Sequence, residues 1–167
     1  MSAAAPFDVP FEQTWDLTRG SDGLDVMRRE VELYRGFCHA ACREATTMAA
    51  WELAENVSKY GLDDGHGFVG QVTIRLAGAA AFIRTSNGSN AKGSPDDAIA
   101  AIDRIASARN LADLYRQRLR ELFDDSDHTH TRLGLLRVTY EAGFRLTHRY
   151  DASILEIVAQ RRCEKSR

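Results

Sequence analysis

The chain lacks a long apolar run. No eighteen consecutive apolar residues occur among its 167, so no membrane-spanning helix is expected. The opening MSAAAPFDVPFEQTWDL has neither the basic start nor the long apolar centre of a secretory leader. An excess of charge of one sign is missing too: 22 Lys and Arg against 24 Asp and Glu leave a net charge of -2. With no Lys/Arg cluster and no aromatic-basic stripe to follow a phosphate backbone, nucleic acid is not expected as a partner. The three cysteines cannot all pair within one chain, which suits a reducing compartment. Cys38 and Cys42 are four apart with His39 between them, but no second pair at ligand spacing follows, so buried thiols are expected rather than a metal centre. These absences together predict a cytoplasmic protein without a membrane partner.

What is present is enough for a core: 44% of the residues are hydrophobic and 28% charged. Neither repeats nor a long linker divide the chain, which predicts a single domain over residues 1–167 with 1–9 as a flexible lead-in. Pro10 to Leu17 alternates as an opening strand and TRGSDG closes it. Leu24, Met27, Val31, Tyr34, Cys38 and Ala41 recur at three and four, predicting one helix of about five turns from Ser21 or Asp22. A second helix follows directly, from Glu44 or Thr46 to Tyr60, with Gly61 as its left-handed stop. FVGQVTIRL and AAAFIRTS form a hairpin, followed by the turn-rich NGSNAKGSPDD. Ser94 or Asp96 can cap a helix through Ala108, and Asn110 another through Phe123. A last helix from Leu133 to Glu141 stops at Gly143 and leads into the hairpin of FRLTHRY and SILEIVAQ. The order β-α-α-β-β-α-α-α-β-β predicts an α+β fold, a two-layer sandwich with helices on one face of a mostly antiparallel mixed sheet of about five strands.

Within the second helix, MAAWELAENVSKYG places Glu52, Asn56 and Lys59 at intervals of four and three, beside an apolar stripe of Ala50, Leu53, Val57 and Tyr60. Two readings are open. The polar residues could form a solvated face on which Glu55 and Lys59 pair across one turn, or a carboxylate, an amide and an ammonium could be aimed into a pocket. The segment ELAENVSKY resembles the N-box of the GHKL, or Bergerat-fold, ATPases, whose pattern is Glu-Leu-x-x-Asn-Ala-x-Lys-Tyr. Glu52, Leu53, Asn56, Lys59 and Tyr60 match it. The resemblance implies ATP and Mg²⁺ as cofactors, with Glu52 activating the attacking hydroxyl or water, Asn56 ligating Mg²⁺ and Lys59 contacting phosphate.

The family's two glycine boxes have looser counterparts. LGLLRVTYEAGFRLTHRYDASILEIVAQ resembles the second box and the final helix-strand-strand, with His130, Arg132 and Gly134 at its three glycine positions. The resemblance implies phosphate contacts from Gly134 and from the Arg132 guanidinium. Where the first box has Asp-x-Gly-x-Gly, this chain has Ser86, Asn87, Gly88, Ser89 and Asn90. The adenine-reading carboxylate is thereby replaced, leaving the Ser86 hydroxyl or the Asn87 amide oxygen as acceptor beside Gly88. A similar turn occurs in the SiaB-type branch of single-domain bacterial regulators. That likeness implies a Ser/Thr protein kinase acting on a small regulatory protein of anti-sigma-antagonist type in a partner-switching pathway. A non-catalytic binding module on the same scaffold, and a sensor whose lid is ordered by ATP without transfer, are the alternatives.

Other features are read more plainly. Asp124, Asp125, Asp127, His128 and His130 in DDSDHTH suggest a lid over the second box rather than a metal site. His66 and His148 lack partners at metal spacing and are expected on the surface. Trp51 is expected in the core rather than stacked on a base. FDVPFEQTWDL would expose Phe7, Val9, Phe11 and Trp15 on an edge strand, which predicts a homodimer.

Overall fold

A computed structural model of the chain describes residues 7–34, 36, 39–89, 95–124 and 133–163. The elements run β1 (Phe7–Thr18), α1 (Gly23–Leu33), α2 (Ala40–Tyr60), β2 (Phe68–Gly78), β3 (Ala80–Gly88), α3 (Asp96–Ser107), α4 (Leu111–Asp124), α5 (Leu133–Tyr140), β4 (Arg145–Asp151) and β5 (Ile154–Arg162). This is the order the hydrophobic periods predict. The strands form one sheet in the order β1-β2-β3-β5-β4. Every described pairing is antiparallel, so the sheet is antiparallel throughout rather than mixed.

Period-two alternation divides the sheet into a covered face and an open one. Trp15, Leu17, Val72, Ile74, Leu76, Ala81, Ile83, Leu155, Ile157 and Ala159 are buried beneath the helices. The opposite positions carry cross-strand polar pairs: Thr14 with Thr73 at 2.8 Å, Gln71 with Asp16 at 2.8 Å, and Arg84 with Glu156 at 3.9 Å. The molecule is therefore an α+β two-layer sandwich. Among the described residues no helix is long and apolar enough to cross a membrane.

α2 lies centrally, against β2 and β3. Its buried stripe runs Cys42, Thr46, Ala50, Leu53 and Val57, with Ala45, Ala49 and Ala54 alongside, and these small residues let the helix lie close to the sheet. Tyr60, expected in that stripe, is half exposed. The boundary between the first two helices also differs from the expectation. α1 ends at Leu33, and α2 begins at Ala40, where His39 Nδ1 accepts from Cys42 N at 3.0 Å. Gly61 ends α2 without the left-handed turn expected of it, at φ -64 and ψ 140. A Cβ there would stand 2.3 Å from Val69 O and 2.6 Å from Val57 O, so the requirement is for space and not for a positive φ. Gly143, at φ 68, does make the expected left-handed turn after α5.

Three further expectations are corrected. Cys42 and Cys163 are joined in a disulfide with Cα atoms 5.9 Å apart, closing a loop across 121 positions, so they are not free thiols and the cysteine count no longer speaks for a reducing compartment. Trp15 is buried and Phe11 packs on Tyr34 with ring centroids 4.4 Å apart, so neither is left for a partner chain to cover. β1 starts at Phe7, inside the stretch expected as a lead-in. Cys38, Ser94 and Asn90, and residues 125–132 with Asp125, Asp127, His128 and His130, lie outside the described residues.

Candidate functional site

A cleft of about 890 Å³ opens over the outer face of α2, walled by α1 on one side and α5 on the other. The amphipathic pattern of α2 puts it there. With Leu53 and Val57 on the sheet, Glu52, Asn56 and Lys59 are turned away from it into the cleft. Gly134, in the first turn of α5, lines the same cleft. Four of the residues singled out from the sequence are thus brought together.

Glu52 is the deepest of the charged groups, its side chain only 13% exposed. Arg137 of α5 donates to its carboxylate through Nη1. Burial pushes the Glu52 carboxyl above the usual glutamate range, with Arg137 pulling the other way. A Cβ on residue 134 would stand 2.7 Å from Glu52 Oε2, so glycine at that position leaves the carboxylate its seat. Lys59 Nζ donates to Glu55 Oε2 at 2.8 Å, the one-turn pair of the plainer reading, and this bond holds the ammonium above its ordinary value. The two readings of the helix face therefore coexist, because the pair forms on the rim of the cleft. The Asn56 amide makes no side-chain hydrogen bond among the described residues and borders the same space.

The rest of the predicted set is placed elsewhere. Ser86 pairs with Gln71 and Glu156 on the open face of the sheet, away from α2. Asn87 is turned to the helix side and buried, with Nδ2 donating to Gly88 O at 3.1 Å. Neither these two nor Gly88 lines the cleft. Arg132 lies outside the described residues. His148, expected on the surface without a partner at metal spacing, meets Asp103 of α3 at 2.9 Å. Trp51 forms part of the cleft wall rather than the core, with Arg28 Cζ 5.4 Å from its ring centroid.

Arg137 is the residue the sequence reading missed. It sits in the apolar run LGLLRVTY, and the available signal was its one-turn spacing to Glu141, to whose Oε2 its Nε donates at 3.3 Å. No family model matches the chain, and comparisons with characterised proteins and with solved structures give no match either.

Proposed function

We propose that the chain is a divergent Bergerat-fold ATPase acting as a bacterial, cytoplasmic signalling regulator: a Ser/Thr protein kinase for a small regulatory protein in a partner-switching pathway. The observation that carries this reading is that Glu52, Asn56, Lys59 and Gly134, drawn from two separate motifs, line one cleft. The phosphate end of that cleft fits the cofactors. Asn56 offers a neutral amide oxygen suited to Mg²⁺, and Lys59 and Arg137 offer cations now held by carboxylates that a phosphate can displace. When bound, ATP supplies the transferable phosphoryl group and Mg²⁺ screens its charge. Glu52, partly buried and with its proton affinity raised, would accept the proton of an attacking hydroxyl.

The adenine end fits less well. Ser86 faces away from α2, and the Asn87 side chain is engaged with Gly88. That observation favours a second reading, a non-catalytic module that sequesters its partner on the same scaffold, and it supports affinity for ATP below that of a chain with both glycine boxes. Self-association as a homodimer keeps one support, the edge of β1 that no described strand pairs.

Calorimetric titration of Mg-ATP separates the two readings. Binding is expected in the native chain, retained in Glu52→Ala with loss of transfer, and lost with its Mg²⁺ dependence in Asn56→Ala. No heat and no thermal shift at millimolar nucleotide would sink the kinase and promote the binding module.

A further inference from the structure

The charges of the cleft extend beyond the N-box residues. Arg137 is held on two sides, by Glu52 from α2 and by Glu141 from the turn after α5. Glu141 in turn accepts from the Tyr115 hydroxyl, and the Tyr115 ring stacks on Tyr140 with centroids 4.8 Å apart. The Arg137 side chain is 38% exposed, so packing alone does not fix it. A carboxylate as deep as that of Glu52 needs a counter-charge, and Arg137 supplies it. The other charged groups facing this space are already matched: Glu55 with Lys59 on α2, and Arg28 with Glu32 on α1 at 2.9 Å. Glu44 adds only a further negative charge.

We infer that Arg137 is a shared cation: it neutralises Glu52 at rest, and the terminal phosphate of a nucleoside triphosphate takes it over on binding, leaving Glu52 an unpaired carboxylate. This rests on the function proposed above. The guanidinium fork fits phosphate as well as carboxylate, and the higher charge of a terminal phosphate wins the competition. The Nε contact to Glu141 lets the group pivot without leaving the cleft. Lys59, the other cation that acts on Glu52, is held by Glu55 and makes no described hydrogen bond to Glu52. The partly buried carboxyl therefore gains proton affinity when the phosphate arrives, so base strength is coupled to occupancy. Arg137 thus touches the nucleotide itself, and it acts on the proton only through Glu52.

The test is a carboxyl-carbon NMR titration of Glu52 in the full chain, native and Arg137→Gln, with and without Mg²⁺ and a non-hydrolysable β,γ-imido ATP analogue. In the free native chain the Glu52 midpoint should lie below that of the free variant. The analogue should raise it in the native chain by more than in Arg137→Gln, because the charge of the phosphates acts in both but the loss of the guanidinium in only one. Affinity for the analogue should fall about tenfold in Arg137→Gln and recover in part in Arg137→Lys. Binding of the analogue with equal midpoint shifts in both chains overturns the shared cation and leaves nucleotide binding standing. No binding by the native chain at millimolar analogue overturns both.

Discussion

The indole of Trp15 donates to Glu30 Oε2 at 2.7 Å, joining β1 to α1. The same oxygen accepts from Gln13 Nε2 at 2.6 Å, so one carboxylate of α1 holds two positions on the covered face of the strand. Trp15→Phe keeps most of the buried ring area and removes the bond to a charged acceptor. It should lower unfolding stability by about 1–3 kcal/mol. Urea unfolding should show the midpoint falling with the slope unchanged.

The β4–β5 turn carries two non-glycine residues in the left-handed region, Ala152 at φ 48 and Ser153 at φ 65. Both central positions of this two-residue hairpin therefore need a conformation that Asn and Gly adopt more readily. The double substitution Ala152→Asn, Ser153→Gly should raise stability by about 1 kcal/mol, read as an upward shift of the thermal midpoint. The Ser89 N bond to Ser153 O, 2.9 Å, uses only backbone and should survive.

Gly61 and Gly65 should respond to alanine differently. At Gly61 the new Cβ meets Val69 O at 2.3 Å and Val57 O at 2.6 Å, both main-chain atoms that cannot rotate aside. Gly61→Ala should cost about 2 kcal/mol or more and disturb the end of α2 that holds Lys59. At Gly65 nothing lies within 4 Å and only the φ of +93 is adverse, so the loss should be nearer to 1 kcal/mol. Denaturant midpoints of the two variants, measured side by side, check the ranking.

Two carboxyls should make stability depend on pH in opposite directions. Asp63 accepts from the backbone of Gly67 and Gly65, which holds its carboxyl below the ordinary 3.8. Its contribution is in place above 3.8 and is lost as pH falls through the lower folded value. Burial raises Glu52 above 4.5, so the folded chain binds that proton more tightly than the unfolded one. Stability from this group falls as pH rises from 4.5 through the higher folded value. Urea midpoints between about pH 3 and 8 should lose part of their acid-side slope in Asp63→Asn. Glu52→Gln should instead remove the decline on the alkaline side.

The order of elements was legible because each carries its own period and punctuation. Ile74 and Leu76 alternate on a strand, Leu53 and Val57 repeat on a helix, and Asn110 caps α4 by accepting from Ala112 N at 3.0 Å as its side chain predicts. The break before α2 was not, because Tyr34, Cys38 and Ala41 continue the spacing of α1 and histidine is a weak cap signal. The Cys42–Cys163 pair was invisible, since a link across 121 positions leaves no local spacing to read. At the cleft, Glu52, Asn56 and Lys59 could be set on one face from spacing alone. Their meeting with Arg137 depends on how α5 lies against α2, which only tertiary packing decides. Ser86 and Asn87, alternative acceptors in the sequence, lie on opposite faces of the sheet, as neighbours on a strand must.

The disulfide gives the fold an unequal topology. Between Cys42 and Cys163 the chain is a covalent ring holding nearly all of α2 and everything from β2 to β5, while β1 and α1 hang from it by a single thread. An oxidised molecule cut once within the ring remains one piece until a reductant is added. β1 and α1 have no such tether: among the described strands β1 pairs only with β2, and α1 rests on β1 and α2. Peeling away that corner opens the sheet without breaking the ring. Because α1 forms a wall of the cleft, a part of the molecule outside the ring is also one of the two sides that would have to part to admit a bulky guest.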